Sequence, residues 1–180
     1  TTPATAQPVI YSPQQSAGLA PNPLVTGAIA FGAALLVSQL FVGQETHGDS
    51  VGDPSLVLAP PTTQYRRDYL ILVPTTIAEN YVNIVAPQTG QRGAPIVAIS
   101  SINGAFTVTN WTNIPNSPWK VARQRLCPSG STAPCQPAGV YSITATDPIG
   151  LTVYGYDADV SYGYTGGLDL KQTVFVDPEF

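Results

Sequence analysis

The sequence predicts an all-β fold, an antiparallel β-sandwich of about ten short strands built from two related halves. The first observation is composition: only 10% of residues are charged, against roughly 25% in ordinary domains, while Pro (18) and Gly (16) are plentiful and Met is absent. Second, short runs of strand-forming residues recur about every ten residues between turn residues. Third, one part of the sequence returns, in weakened form, much later in the chain.

The repeat occupies approximately residues 33–60 and 149–172. Each copy has an alternating apolar run, a polar loop of Gly, Asp and Ser, and a short strand ending in Leu-x-Leu, which is Leu56-Val-Leu58 in the first copy and Leu168-Asp-Leu170 in the second. A unit written twice indicates a duplicated β-module, and such modules usually serve as scaffolds or binding surfaces.

Residues 1–23 are rich in Pro, Gln, Thr and Ser, which predicts an extended arm or linker ahead of a single β-rich domain at 24–180. Within the arm, only Val9, Ile10 and Tyr11 have the character of a strand. They are candidate partner-binding residues, because an unpaired strand can add to the edge of another sheet.

Residues 24–43 contain no charge over a length that could span a membrane. Three interrupting glycines, the polar pair Ser38-Gln39 and the absence of flanking Lys or Arg argue against membrane insertion. Alternation favours a buried hairpin that joins 24–30 to 33–42. The alternative fold is a β-sandwich with one N-terminal hydrophobic helix at 24–43.

The remaining strands are predicted from apolar or alternating runs that end at Pro, Gly or Asp. Asn103-Gly104 predicts a tight hairpin turn, and Asp147-Pro148 predicts a hinge between two strands. The predicted strands are Ser55–Leu58, Tyr69–Val73, Tyr81–Val85, Pro95–Ile99, Ala105–Thr109, Trp119–Leu126, Gly139–Thr146, Gly150–Tyr154 and Thr173–Val176. The candidate core residues are Leu35, Val37, Leu56, Leu58, Leu70, Leu72, Val82, Ile84, Ile143, Leu151 and Val153.

The two cysteines, Cys127 and Cys135, enclose a short segment with two prolines and one glycine. Such a segment doubles back and can bring the two Cβ atoms within bridging distance. We therefore expect a disulfide that closes this loop, which implies an oxidising compartment; two free thiols in a cytosolic loop are the alternative.

Charge and motifs exclude several function classes. A net charge of −4 and a pI near 4.6 provide no basic surface for nucleic acid or an anionic membrane. No phosphate-binding loop, nucleophile elbow or calcium-loop pattern is present, so we expect neither enzymatic activity nor a cofactor or metal. His47 lies near Asp49 and Asp53 in a polar loop. The competing hypothesis is a surface glycosidase that uses Asp157 or Asp159 together with Asp169.

Tyr154, Tyr156, Tyr162 and Tyr164 form a local cluster and are the second group of candidate partner-binding residues. Alternation places the first two on one face of their strand and the last two on one face of theirs. Exposed, the rings could stack on sugars or anchor a protein. Buried, they would form a cross-strand aromatic ladder, which is the interpretation we favour.

An ordered series of short motifs resembles a known family. The series consists of Gly52-Asp-Pro-Ser-Leu56, Pro60-Pro61, Gln64-Tyr-Arg66, Asp68-Tyr-Leu-Ile-Leu-Val-Pro74, Asn80-Tyr-Val-Asn-Ile-Val-Ala-Pro87, Ala138-Gly-Val-Tyr-Ser-Ile143, Pro148-Ile-Gly-Leu-Thr-Val-Tyr-Gly-Tyr156, Ser161-Tyr-Gly-Tyr164 and Gly166-Gly-Leu-Asp-Leu170. Together these resemble the bacterial, myxobacterial-type branch of the IgGFc-binding-protein N-terminal domain family over about residues 33–172. Thr165 departs slightly from the family pattern, which usually has Pro at this position.

The resemblance implies a secreted or cell-surface β-rich module, often present in tandem, with adhesive or binding roles. It does not imply that the chain binds IgG, because no residue identifies an antibody site. We expect a structural or adhesive module that contacts protein partners or further copies of itself, self-assembling through the N-terminal arm. The alternative is a carbohydrate-binding or glycoside-processing surface protein.

Overall fold

The computed structural model describes residues 38–41, 52–90, 94–102, 104–126 and 139–170. Several sequence predictions therefore lie outside the described residues. They are the arm with Val9, Ile10 and Tyr11, most of the 24–43 segment with Leu35 and Val37, His47, Asp49, the cysteine pair Cys127 and Cys135, and the strand Thr173–Val176.

The described chain is built from ten strands and one short 3-10 turn, Thr62–Gln64. The strands are β1 (Ser38–Phe41), β2 (Ser55–Leu58), β3 (Arg66–Leu72), β4 (Glu79–Pro87), β5 (Val97–Ser101), β6 (Gly104–Thr107), β7 (Thr112–Asn113), β8 (Trp119–Arg125), β9 (Val140–Asp157) and β10 (Val160–Thr165). In this part of the chain no helix is long and apolar enough to cross a membrane. The described residues of the 24–43 segment form strand β1 rather than a helix.

Strand β9 organises the fold, because it belongs to two sheets. Its first part pairs with β3 on one side and β5 on the other, with β6 beyond, and we call these strands sheet I. Its second part pairs with β4 and β10, with β8 and β7 beyond β4, and we call these strands sheet II. All pairings are antiparallel.

The hinge expected at Asp147-Pro148 is where β9 changes partners, although the strand is continuous there rather than divided in two. Asp147 is buried, 3% exposed, and its carboxylate packs against the backbone at Gly90, where a side chain would overlap it. The Thr146 side chain accepts the Ile96 backbone N–H at 3.1 Å. A strand that turns from one sheet into the next forms the corner of a sandwich.

The core lies between the inner faces of the two sheets, which confirms the predicted antiparallel β-sandwich. Successive side chains of a strand alternate between faces, so every second residue is buried. Sheet I contributes Tyr69, Ile71, Val97, Ile99, Tyr141 and Ile143, and sheet II contributes Val82, Ile84, Ala86, Ala122, Leu151 and Val153. The core predictions Val82, Ile84, Ile143, Leu151 and Val153 are therefore correct.

Four core predictions are wrong, because two strands present the opposite face to the interior. Leu70 and Leu72 are 74% and 67% exposed, whereas Tyr69 and Ile71 of the same strand are buried. The Tyr69 ring reaches the core and its hydroxyl donates a hydrogen bond to the Ile149 carbonyl. In β2, Leu56 and Leu58 are 61% and 48% exposed, and Val57 is buried instead. Both faces of β2 and β3 carry apolar residues, so alternation alone does not indicate which face is buried.

Strands β1 and β2 pair with each other and form a separate two-stranded ribbon. The ribbon lies on the outer face of sheet II, where the Phe41 ring stacks on Tyr154 at 5.0 Å between centroids. Val57 packs against Gly163, and the Thr165 hydroxyl donates to the Leu58 carbonyl at 2.9 Å. Of the second copy of the repeat, Gly166–Leu170 follows β10 without forming a strand.

Candidate functional site

The outer face of sheet II gathers tyrosine and arginine side chains from three neighbouring strands. In β4, Tyr81 lies opposite Tyr154 of β9 and Arg125 of β8, and the same register places Asn83 opposite Arg123. Because Val82 and Ile84 point into the core, their odd-numbered neighbours point outward. We call this group, Glu79, Tyr81, Arg123, Arg125, Tyr154 and Tyr156, the tyrosine–arginine cluster.

The rings of the cluster form a continuous stacked row. Tyr81 stacks on Tyr154 at 5.5 Å and on Tyr156 at 5.7 Å between centroids. The Arg123 guanidinium lies over this row, with Cζ 4.3 Å from the Tyr81 centroid and 5.5 Å from that of Tyr154. Its Nη2 donates to the Tyr156 hydroxyl at 3.0 Å. Cation–π contacts of this kind contribute roughly 0.5–2 kcal/mol each.

The two arginines of the cluster differ in their charge partners. Arg125 forms an ion pair with Glu79 at 2.5 Å, and the Tyr81 hydroxyl donates to the other Glu79 oxygen at 2.8 Å. Burial, followed by the hydrogen bond to Glu79, raises the pKa of Tyr81. Arg123 has no carboxylate within ion-pair distance among the described residues, and its buried Nε has no hydrogen-bond partner there. Although burial opposes its charge, the neighbouring tyrosines raise the pKa of Arg123.

The four tyrosines singled out from the sequence do not form one surface. Tyr154 is 2% exposed, covered by Phe41, and Tyr156 lies half-buried beside it. Tyr162 and Tyr164 lie on the inner side of β10 and pack against the core. Their hydroxyls donate to the Asn80 side-chain oxygen at 2.5 Å and to the Leu72 carbonyl at 2.6 Å. Tyr162 and Tyr164 therefore support the packing of the two sheets, as expected for an aromatic ladder.

The outer face of sheet I carries exposed apolar side chains. Ile102 is 89%, Leu70 74%, Leu72 67% and Val140 50% exposed. A shallow groove of about 430 Å³ is lined by three of these residues, Leu70, Ile102 and Val140, and by Ser100, Ser101 and Ser142, none of which is charged. Leu72 lies opposite Val140 across the β3–β9 pair. We call Leu70, Leu72, Ile102 and Val140 the leucine face. The solvent side of an antiparallel sheet is normally polar, and contiguous apolar patches mark interaction surfaces.

A second apolar surface lies on the ribbon. Leu40, Leu56 and Leu58 are 49%, 61% and 48% exposed, and Leu40 lies directly opposite Leu56. They point away from sheet II, because their neighbours Phe41 and Val57 pack onto it. We call these three residues the ribbon face.

Among the carboxylates considered for glycoside hydrolysis, that of Asp157 binds the backbone. Asp157 accepts the backbone N–H groups of Ala158 at 2.8 Å and Ala78 at 2.9 Å, which lower its pKa. Asp159 has a φ of 55° in the turn between β9 and β10, a conformation that Asp tolerates better than most residues. Asp53 accepts a hydrogen bond from Ser161 through its carbonyl. Within the described ranges, no three His, Cys, Asp or Glu side chains form a metal-binding group.

Sequence reasoning missed Tyr81, Arg123 and Arg125 and assigned the exposed leucines to the core. Both strands of the missed residues were predicted, and alternation places Arg123 and Arg125 on one face of β8. The sequence does not indicate how β4 pairs with β8 and β9, and it is this register that brings the face close to Tyr154.

One of the comparisons with known proteins identifies a family. Residues 25–155 match the family described as IgGFc binding protein, so the chain belongs to it. No curated protein and no solved structure matches the chain significantly.

Proposed function

We propose that this member of the IgGFc binding protein family is a secreted or cell-surface module that binds other proteins through its leucine face. Family membership supports an extracellular role in protein contact. The observation that carries the proposal is the exposure of Leu70, Leu72, Ile102 and Val140 on the outer face of sheet I.

Removing the leucine face from water favours binding through the hydrophobic effect. Fully burying one large aliphatic side chain stabilises by about 1.5–3 kcal/mol, so covering this face supplies the apolar centre of an interface. Ser100 and Ser142 surround the aliphatic groups with hydroxyls that can exchange water for a partner's polar groups. A shallow, open groove lined by uncharged residues is better suited to a protein partner than to a small molecule, which needs a more enclosed site.

We also propose that the chain is adhesive and self-assembles through its N-terminal arm. Strand β3 pairs only with β9 among the described strands, so no described strand occupies its other edge, and we propose that an added strand pairs there. Val9, Ile10 and Tyr11 form the strand-like part of the arm and can supply that strand, from the same chain or from a neighbour. Deleting residues 1–20 and measuring mass by light scattering tests this, since an unchanged assembly state assigns the arm to a linker.

The family name refers to the constant region of IgG, but no residue of this chain identifies an antibody site. We therefore propose protein partners other than IgG, in an extracellular setting, with the bacterial branch as the source suggested by the motif series.

The experiment compares retention of beads coated with the full chain on three immobilised proteins, namely the chain itself, IgG Fc and a mucin. The wild type should be retained on the chain itself or on the mucin but not on IgG Fc, and the double substitution Leu70→Asp with Leu72→Asp should reduce that retention at least tenfold. Val160→Asp is the matched control, because Val160 is 39% exposed on β10, away from the leucine face. Equal retention of the double variant and the wild type, or retention on none of the three surfaces, would contradict the proposal.

A further inference from the structure

The two apolar surfaces lie at opposite ends of a layered structure. Tyr69 and Ile71 pack into the core between the sheets, so Leu70 and Leu72 point outward from sheet I. The ribbon covers the other side of the sandwich, on the outer face of sheet II, and presents its own leucines away from it. The order of layers is therefore leucine face, sheet I, sheet II and ribbon face.

We propose that the ribbon face of one copy of this chain binds the leucine face of the next copy, giving a head-to-tail assembly. This inference rests on the proposed function and names a second copy as the partner. Two different surfaces at opposite ends make a heterologous contact, which leaves a free surface at each end and propagates. Interior copies then bury both apolar faces with a single type of contact.

The chemistry of the two faces fits one another. Each consists of aliphatic side chains, and no residue of either face is charged. The ribbon face lies on the antiparallel strands β1 and β2, and the leucine face lies on β3, β9 and the turn after β5. The chain carries a net charge of −4, so copies repel one another elsewhere and meet at lowest cost where charge is absent. Stacked sheets pack about 10 Å apart with their side chains interdigitated, a geometry that rows of leucines can fill.

The charges at the rims favour unlike faces over like faces. Asp68 is exposed and points outward in the same row as Leu70 and Leu72. The Arg66 guanidinium lies over the Tyr69 ring instead, and Arg67 lies at the irregularity of the strand just before Asp68. Arg123, which lacks a carboxylate partner among the described residues, lies on the same side of the sandwich as the ribbon. A head-to-tail contact turns the face of one copy that carries Asp68 toward the side of the next copy that carries Arg123. Pairing two leucine faces would instead oppose two aspartates.

The inference also explains why β1 and β2 remain a separate ribbon. Their inner face packs on sheet II through Phe41 and Val57, and the hydrogen bond from Thr165 to the Leu58 carbonyl also holds the ribbon there. Leu40, Leu56 and Leu58 are therefore not required for docking the ribbon and are available to a neighbouring copy.

The test is a complementation experiment by sedimentation velocity on the full chain. One variant removes the leucine face with Leu70→Asp and Leu72→Asp, and the other removes the ribbon face with Leu56→Asp and Leu58→Asp. The wild-type mass should rise continuously with concentration, while each variant alone should remain at the 18.9 kDa of one chain. An equimolar mixture should double that mass and go no further, because each variant retains one complementary face.

Circular dichroism and denaturant unfolding confirm that both variants are folded, and Val160→Asp should assemble like the wild type. A wild type that stays at the single-chain mass, or a mixture that does not form dimers, would overturn the inference. So would a variant that dimerises alone, since its contact would then involve two like faces or the N-terminal arm rather than one face of each kind. A monomeric wild type that is still retained on another protein through Leu70 and Leu72 would refute self-assembly alone and leave the proposed function standing.

Discussion

Replacing two adjacent residues of β3 by alanine tests which face of this strand is buried. Ile71 is 2% exposed and belongs to the core, whereas Leu70 is 74% exposed. Truncating a buried Ile leaves a cavity and typically costs about 2–5 kcal/mol. An exposed substitution away from special features usually changes stability by less than about 0.5 kcal/mol. Ile71→Ala should therefore lower the free energy of unfolding several-fold more than Leu70→Ala.

Urea unfolding of the two variants measures the difference directly. A loss near 3 kcal/mol with a slope of about 2 kcal/mol per molar moves the midpoint of Ile71→Ala by roughly 1–2 M. The midpoint of Leu70→Ala should stay near that of the wild type, with the slope unchanged in both. The measurements belong at concentrations where the chain is monomeric, so that Leu70 is compared in solvent rather than in an interface.

The reverse order of stabilities would refute the reasoning. A strand displaced by one residue presents its other face to the core, so a larger loss in Leu70→Ala would place Leu70 inside and Ile71 outside. Equal losses would mean that both faces of β3 are covered in the isolated chain, and the leucine face would then not be a free surface.

Three further predictions concern other parts of the chain. Gly163→Ala should destabilise by about 1–3 kcal/mol and loosen the ribbon, because a Cβ there would overlap Val57; unchanged unfolding and near-ultraviolet circular dichroism would contradict this. The hydrogen bond from the Ala158 N–H is the main reason why the pKa of Asp157 is lowered in the folded state. Asp157 therefore contributes fully to folding stability above its unfolded pKa of about 4, and this contribution is lost as the pH falls through the lower folded pKa. Replacing it by Asn should flatten the acid limb of the stability curve, and an identical limb would rule this out. Cys127 and Cys135 should add two hydrogen atoms to the intact mass on reduction and react with alkylating reagents only afterwards, whereas free thiols in freshly isolated protein would remove the expected bridge.

The existence of most strands could be predicted, because alternation and turn residues are local signals. Predicted Tyr81–Val85 and Trp119–Leu126 correspond to β4 and β8, with ends displaced by up to two residues. The two-residue strand β7 was not predicted, since Thr112 and Asn113 give no periodic pattern and depend on pairing with β8. The continuity of β9 through Asp147-Pro148 also required tertiary context, because each side of the corner pairs with a different sheet.

The candidate site was predictable only in part, because it depends on contacts between distant strands. Tyr154 and Tyr156 are recognisable as a pair of aromatic residues on one face of a strand. Their partners Tyr81 and Arg123 come from β4 and β8, and only the register of the sheet places them together. A sequence pattern specifies faces within a strand but not which strand lies beside it.

The misplaced leucines suggest how the fold and the proposed function are connected. Leu56, Leu58, Leu70 and Leu72 satisfy every local criterion for core residues, and in the isolated chain they are exposed. Places where consistent local reasoning fails are often those where sequence was selected for something other than the stability of one domain. In a head-to-tail assembly these side chains would be covered, so the sequence pattern that mispredicts the monomer would describe the core of the assembled protein.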